Sequence, residues 1–293
     1  MIGIGALINI VKPPGMTSHD VVSFIRRIYH LKRVGHAGTL DPAAAGVLPV
    51  ALGPATRLLE YMTDCDKSYR VELTIGYETD TGDDTGTITN AIDCTMPTQD
   101  KIEEVLASFL GTIEQVPPMY SAIKVQGKKL YELARAGITV ERKARVITIH
   151  NINLLKLDKK SFLFDVTCSK GTYIRSLCID IGTKINCPAT MSFLVRTRVG
   201  SFSLDQAFTL EEIEENPENA LLPVDHALGY MPKLILSQEI ARAFKHGQNI
   251  SISTDNDDGQ TYLRIYDHQN LFIGIGQKRL GTAVIIPIKV LIS

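Results

Sequence analysis

The chain has no tryptophan, no CxxC pair and almost no net charge. Its five cysteines (Cys65, Cys94, Cys168, Cys178 and Cys187) are odd in number and lack metal-ligand spacing. That excludes a zinc ribbon, gives no reason to expect a metal site, and points to free thiols in a reducing, cytoplasmic compartment. No apolar run reaches the ~18 residues that would cross a bilayer. The stretch Met1 to Val11 is apolar, but it has no basic lead-in and no small-residue cleavage site, and Lys12-Pro13-Pro14-Gly15 stops it. It reads as a first strand and not as a signal peptide. GxxxxGK[ST] and an intact GxGxxG are both missing, which argues against a nucleotide-phosphate loop. What is present is 293 residues with 44% hydrophobic and 22% charged content. This is ample for a packed core and excludes disorder along the whole length; the length suits one large domain, or one large and one small.

Charge is balanced in total, 31 Lys and Arg against 32 Asp and Glu, but uneven along the chain. Residues 61–100 hold 2 basic and 9 acidic side chains, and 201–250 hold 3 and 8; the stretch 101–200 holds 16 and 8. Within it Lys124, Lys128, Lys129, Arg135, Arg142, Lys143 and Arg145 face only Glu132 and Glu141. A basic segment bounded by acidic ones can follow a phosphate backbone while the molecule stays near neutral. A solvated helix-and-loop face has the same composition.

Thr17 and Ser18 are cap-type residues, and Val21, Phe24, Ile25 and Ile28 follow at helical spacing, so a helix is predicted to about His30. Thr98 likewise precedes Ile102, Val105, Leu106, Phe109 and Leu110, with Gly111 as the stop. Tyr69, Val71, Leu73 and Ile75 alternate with Arg70, Glu72 and Thr74, which makes a strand with Tyr69 on its apolar face. Phe162 to Cys168 alternates in the same way, Lys170-Gly171 turns the chain, and Ile174, Leu177, Cys178 and Ile181 return to helical spacing. The acidic stretch Glu211 to Asn219 reads as a surface connection, and Thr79 to Thr87, which lacks EF-hand order, as a solvated loop. Beyond Met231-Pro232 a helix over Ile240 to Phe244 precedes short strands at Thr261–Tyr266, Leu271–Gly276 and Thr282–Leu291. A β module of that size is expected to pack on the main domain.

The densest signal is GHAGTLDPAAAGVLPVALGPATR, residues 35–57, where four glycines and three prolines surround one acid, Asp41. Glycine permits close backbone approach or positive φ, and Pro42 fixes the chain after the carboxylate. An acid on such a loop suits a nucleophile or a general acid/base. Asp-Pro also commonly opens a turn, and the residues alone leave both readings standing.

This segment resembles the signature of the bacterial TruB-type tRNA pseudouridine synthases. NIVKPPGMTSHDVV (Asn9 to Val22), DKSYRVELTIGYETDTGDDTG (Asp66 to Gly86), PPMYSAIKVQGKKLYELARAG (Pro117 to Gly137) and SKGTYIRSLCIDIG (Ser169 to Gly182) resemble further motifs of that family, nearly continuously from Ala6 to Gly200. The resemblance implies an α+β fold. Residues 1–230 would form a pseudouridine-synthase-type catalytic domain with a mixed, mainly antiparallel sheet flanked by helices and a basic thumb-like insertion at 124–145. Residues 231–293 would form a small, mainly β, PUA-like RNA-binding domain.

The implied reaction detaches uracil from its ribose and rejoins it through carbon 5, at uridine 55 of the tRNA T loop. Reactant and product hold the same atoms, so no cofactor is expected. By motif match Asp41 is the nucleophile and Arg175 its cationic partner. Tyr69 stacks on the flipped-out base and is a further candidate for proton removal from carbon 5. His36, Tyr173, Leu194 and Lys124 contact substrate. Where the family more usually has Leu-Arg-Arg this chain reads Leu-Val-Arg, which leaves Arg196 an uncertain phosphate contact. The expected partner is the T arm of tRNA, with no membrane, and the chain is expected to act as a monomer. An RNA chaperone and a carboxylate-dependent nucleoside hydrolase are the competing readings. The second is weakened because Asp41 has no second carboxylate at helical or strand spacing.

Overall fold

The computed structural model describes residues 5–125, 127–251, 262–279 and 281–291. The apolar N-terminal run becomes strand β1 (Ala6–Lys12), and its first four residues lie outside the described ones. Helix α1 (Ser18–Ile28) opens on a capping box in which the Thr17 side chain accepts from Asp20 N and the Asp20 carboxylate accepts from Thr17 N. Its apolar stripe buries Val21, Val22 and Ile25, each worth about 1.5–3 kcal/mol when fully removed from water. Then come β2 (Val34–His36), β3 (Ala45–Leu52), α2 (Leu59–Thr63), β4 (Lys67–Ile75), β5 (Tyr77–Thr79) and β6 (Ile88–Ala91). They are followed by α3 (Gln99–Ala107), β7 (Gly111–Gln115), β8 (Lys124–Val125), β9 (Lys128–Lys129), α4 (Leu130–Arg135), β10 (Arg145–Leu157) and β11 (Ser161–Cys168).

Helix α5 (Ile174–Lys184), β12 (Ala189–Val199) and β13 (Phe202–Ser203) complete the main sheet, whose order is β1-β3-β12-β4-β11-β10-β7. β2 pairs with β3 and β13 with β12. Among the described residues every pair in it is antiparallel except β3 with β12. β4 is central and carries the predicted alternation: Tyr69, Val71, Leu73 and Ile75 are buried while Arg70 is exposed and pairs with Asp165. α3 and α5 pack on this face of the sheet in one apolar cluster, and α1 packs with β1 and β3 in another.

Four expectations change. The helix after Thr98 ends at Ala107, short of Gly111, and Phe109 is buried beyond its end. The acidic stretch near 211 is a helix, α6 (Leu210–Glu215), because Thr209 and Glu212 form a capping box and Leu210 and Ile213 are buried. The segment Thr79 to Thr87 is only partly solvated, since Thr79 and Asp83 are buried. Cys94 and Cys187 are disulfide-bonded, so the free cysteines are Cys65, Cys168 and Cys178, not all five. The two bonded residues share no local motif; antiparallel pairing of β12 on β4 brings the start of β12 beside the chain leaving β6.

The C-terminal part holds β14 (Lys233–Ile235), α7 (Gln238–Lys245), β15 (Ile250–Ser251), β16 (Tyr262–Tyr266), β17 (Phe272–Lys278) and β18 (Val284–Val290). The order β14-β16-β17-β18-β15 includes the three strands foreseen; Thr261 and residues 252–260 before it lie outside the described residues. Tyr266, Phe272, Ile275 and Leu291 share an apolar cluster with Leu7, Ala51, Leu58 and Met62, so this part does pack on the larger one.

Candidate active site

Asp41 lies in the loop between β2 and β3, and the fold holds that loop from several sides. Gly38 sits at φ 92°, in the region that favours glycine. Leu40 N donates to Ser18 Oγ at 2.9 Å, and that hydroxyl donates to Leu40 O at 3.2 Å, so the start of α1 grips the residue before Asp41. Gly15 N and Lys12 Nζ donate to Pro42 O at 2.8 and 3.2 Å. Ala44 N donates to Asp41 O at 3.1 Å. The Asp-Pro turn is therefore real, and it engages only the main chain of Asp41.

The carboxylate meets a guanidinium. Arg175 Nε is 3.0 Å from Asp41 Oδ2, with the arginine side chain 7% exposed and the aspartate 38%. Arg175 stands in the first turn of α5, and the rest of its fork is occupied: Nη1 donates to Thr81 O at 2.9 Å and Nη2 to Tyr120 O at 2.8 Å. It is thus no surface residue, and the expected pairing with Asp41 is present in the geometry.

Nε also lies 3.7 Å from Asp83 Oδ2. Asp83 is buried, and its Oδ1 accepts from Thr81 Oγ1, Thr85 N and Thr85 Oγ1. Sequence reasoning missed it. The Thr-Gly-Asp-Asp-Thr run signals a loop that bonds to itself, and nothing local indicates an arginine from α5. Asp41 lacks a second carboxylate at helical or strand spacing along the chain, but in space Asp83 shares its guanidinium. Asp83 is nevertheless committed to its own loop and to Arg175.

Tyr69 is 8% exposed on β4 and shares an apolar cluster with Leu40, Ala44, Ile174 and Leu194. Burial pushes its hydroxyl up to about 12, opposed by the nearby Arg196 cation. At neutral pH the phenol is protonated, which favours a stacking ring over a proton acceptor. Leu194, two residues before Arg196 on β12, is buried beside this ring. Tyr173 caps α5 and is half-buried; its N–H donates to Gln115 Oε1 at 2.8 Å, and its carbonyl accepts from Gln115 Nε2 at 3.1 Å. Buried Gln115, at the end of β7, is a second residue that the sequence did not reveal. His36 ends β2; burial, aided by the Arg196 charge, lowers its pKa, and its Nδ1 is buried without a partner.

Arg196 is 1% exposed, so the phosphate contact that the Leu-Val-Arg departure left in doubt is not available to it in this fold. Lys124 is exposed on the β8–β9 hairpin, and no hydrogen bond or ion pair joins it to Asp41, Tyr69 or Arg175 among the described residues. No grouping of His, Cys, Asp and Glu arranged for a metal ion occurs among the described residues.

A fixed acid–guanidinium pair beside a buried tyrosine is found here on a sheet whose sequence matches a known family. Residues 26–174 match the model of the TruB family pseudouridylate synthase N-terminal domain. The chain belongs to the TruB family. Residues 175–229 match the tRNA pseudouridylate synthase B C-terminal domain, and 232–291 the C-terminal model of pseudouridine synthase II TruB. The tRNA pseudouridine synthase B of Alkaliphilus oremlandii is 50% identical over 83% of this chain and 82% of its own. That of Caldanaerobacter subterraneus subsp. tengcongensis is 47% identical over 93% and 95%. Among solved structures, a Cbf5-Nop10-Gar1 complex matches with TM-score 0.75 and 29% identity, over 99% of this chain and 86% of that one. An H/ACA RNP bound to a substrate RNA containing 2'-deoxyuridine matches with TM-score 0.74 and 27% identity, over 100% and 86%. This TruB-family chain therefore has the α+β synthase fold with a β-rich C-terminal part. Its membership covers both sides of the Asp41–Arg175 pair, since Asp41 falls within the first matched segment and Arg175 opens the second. No helix among the described residues is long and apolar enough to cross a membrane.

Proposed function

We propose that the chain isomerises uridine to pseudouridine in tRNA, at position 55 of the T loop, with Asp41 as the nucleophile. The observation that carries this is the Asp41 carboxylate, partly open to solvent and held 3.0 Å from a buried guanidinium. A covalent bond from the carboxylate holds one fragment when the glycosidic bond breaks. The freed uracil turns, carbon 5 bonds to the sugar carbon as the bond to the carboxylate breaks, and the proton lost from carbon 5 is matched by one gained at N1, so no atoms are gained or lost overall. Arg175 orients the attacking oxygen and balances its charge through the reaction. The uridine must first leave its stack, and Tyr69 and Leu194 offer an apolar surface to receive it. His36 and Tyr173 are substrate contacts in this reading.

The RNA grip is assigned to Lys124 to Arg145 and to residues 231–293 as a PUA-like unit. In support, no ion pair joins any of the seven cations from Lys124 to Arg145 to an acid among the described residues, while Lys129 and Arg135 lie over the Tyr131 ring. The T arm is the target in this reading, and the active species is a monomer in the cytoplasm. Raising salt from 50 to 200 mM should weaken tRNA binding at least tenfold; a flat dependence contradicts phosphate tracking.

Asp41→Asn tests the function. Incubated with unmodified tRNA transcript and no cofactor, the wild-type chain should convert one T-loop uridine at unchanged RNA mass, and the variant should bind tRNA without converting it. Conversion by the variant removes Asp41 from the mechanism, and released uracil identifies a hydrolase instead.

A further inference from the structure

Arg196 is the largest fully buried side chain among the described residues. An arginine at this depth requires partners, and its partners here are main-chain oxygens of the β2–β3 loop and of β3 itself. Nε donates to Val47 O at 2.8 Å, Nη2 to Gly38 O at 3.1 Å and Nη1 to Thr39 O at 3.3 Å. These carbonyls lie on both sides of Asp41. The main chain of Arg196 pairs in parallel with Gly46, so close that a Cβ at Gly46 would overlap it. Across β12 and β4, Arg196 is register partner to Tyr69, which puts the two side chains on one face of the sheet and the Arg196 cation near the Tyr69 hydroxyl. No ion pair with a carboxylate engages it among the described residues, so the cation is held by neutral oxygens alone.

We infer that Arg196 is a positioning residue: one rigid fork sets the Asp41 loop and the Tyr69 ring relative to each other. This rests on Asp41 being the nucleophile and goes beyond it. A planar fork with five donors can hold three carbonyls at once from a strand position in register with Tyr69, whereas a lysine is a single point charge and cannot. Loop and ring then arrive at the swung-out uridine in a fixed relation, which matters because a misplacement of about 1 Å costs on the order of a hundredfold in rate. Arg196 touches no substrate in this scheme, so its loss should lower the rate of conversion and leave binding intact.

The test compares Arg196→Lys, Arg196→Met and Asp41→Asn with wild type, using tRNA transcript at saturating enzyme. We expect at least one Arg196 variant to fold and to bind tRNA within threefold of wild type. Its single-turnover conversion should be at least thirtyfold slower, with faster amide exchange at Leu40 and Ala44 than in wild type. Adding Tyr69→Phe to that variant should slow it by less than Tyr69→Phe slows wild type, since the phenol has lost its neighbouring cation. A folded Arg196 variant within threefold of the wild-type rate, alongside an inactive Asp41→Asn, overturns the inference alone. Conversion by Asp41→Asn overturns the nucleophile reading and this inference with it. If neither Arg196 variant folds, the residue is structural and the inference is likewise overturned.

Discussion

Replacing Arg175 by methionine keeps an unbranched apolar stem and removes the guanidinium, which makes every polar contact of the side chain. Four contacts go: the 3.0 Å approach to Asp41, the 3.7 Å approach to Asp83, and the bonds to Thr81 O and Tyr120 O. The contact to Asp41 is charge-assisted, a class worth about 1.5–3 kcal/mol, which is roughly a ten- to hundredfold loss if it acts fully in the transition state. Release of the carboxylate from its orientation adds on the order of another hundredfold, so a total near 10³ to 10⁴ is expected. Stability suffers too. Removing one partner of a buried pair costs about 3–5 kcal/mol, but Asp41 is 38% exposed and regains water, so roughly 2–3 kcal/mol is the better figure, mostly from Asp83 and the two orphaned carbonyls. In a chain of this size that lowers Tm by about 4–10 °C. Single-turnover conversion of tRNA transcript, tRNA binding and thermal melting should be measured on the same preparation. A folded variant that converts at the wild-type rate refutes the reasoning, as does a rate loss fully matched by lost binding.

Three other perturbations have defined outcomes. Reducing the Cys94–Cys187 bond should raise the count of titratable thiols in the denatured chain from three to five, and Cys94→Ser should cost about 2–4 kcal/mol in stability through the long loop that the bond closes; a count of five in denaturant without reductant contradicts the pairing. Tyr69→Phe should leave tRNA affinity near wild type, while Tyr69→Ala should weaken it by about 1–3 kcal/mol as base stacking is lost; equal affinity in the two variants excludes a stacking role. Burial pulls Lys12 down to about 8, with Asp41, Arg196 and Asp20 the charged groups facing it. Its ammonium donates to Pro13 O, Met16 O and Pro42 O, and deprotonation leaves one donor fewer for them. From about 8 to the unfolded value of 10.5 the folded chain holds fewer protons than the unfolded one, so this group's share of stability rises with pH in that window. Conversion should therefore decline above about pH 8 in wild type and not in Lys12→Met, without a matching fall in Tm from this group; identical profiles remove Lys12 from the effect.

Much of the fold was legible in the sequence because burial is written in periodicity. The alternation from Tyr69 to Ile75 set which face of β4 is apolar, and the cap at Thr17 set where α1 begins. Local chemistry also isolated Asp41, because glycines and prolines crowd around no other acid in this way. Where the pattern was short or dominated by charge it misled: Leu210 and Ile213 are only two apolar residues amid glutamates, yet they bury a helix.

What no local pattern holds is which distant groups meet. Arg175 reaches Asp41 because α5 packs on the face of the sheet from which the β2–β3 loop emerges, and Asp83 joins them because its loop folds back over α5. Arg196 ranks by type among the residues least expected inside, and only the carbonyls of Gly38, Thr39 and Val47 make its burial tolerable. Cys94 and Cys187 looked like free thiols until β12 was paired with β4. The sequence by itself determined the strands, the caps and the nucleophile candidate, because these depend on neighbours along the chain. The ion pair, its second acid, the buried fork and the disulfide depend on strand register and helix packing, and those were decided only by the tertiary structure.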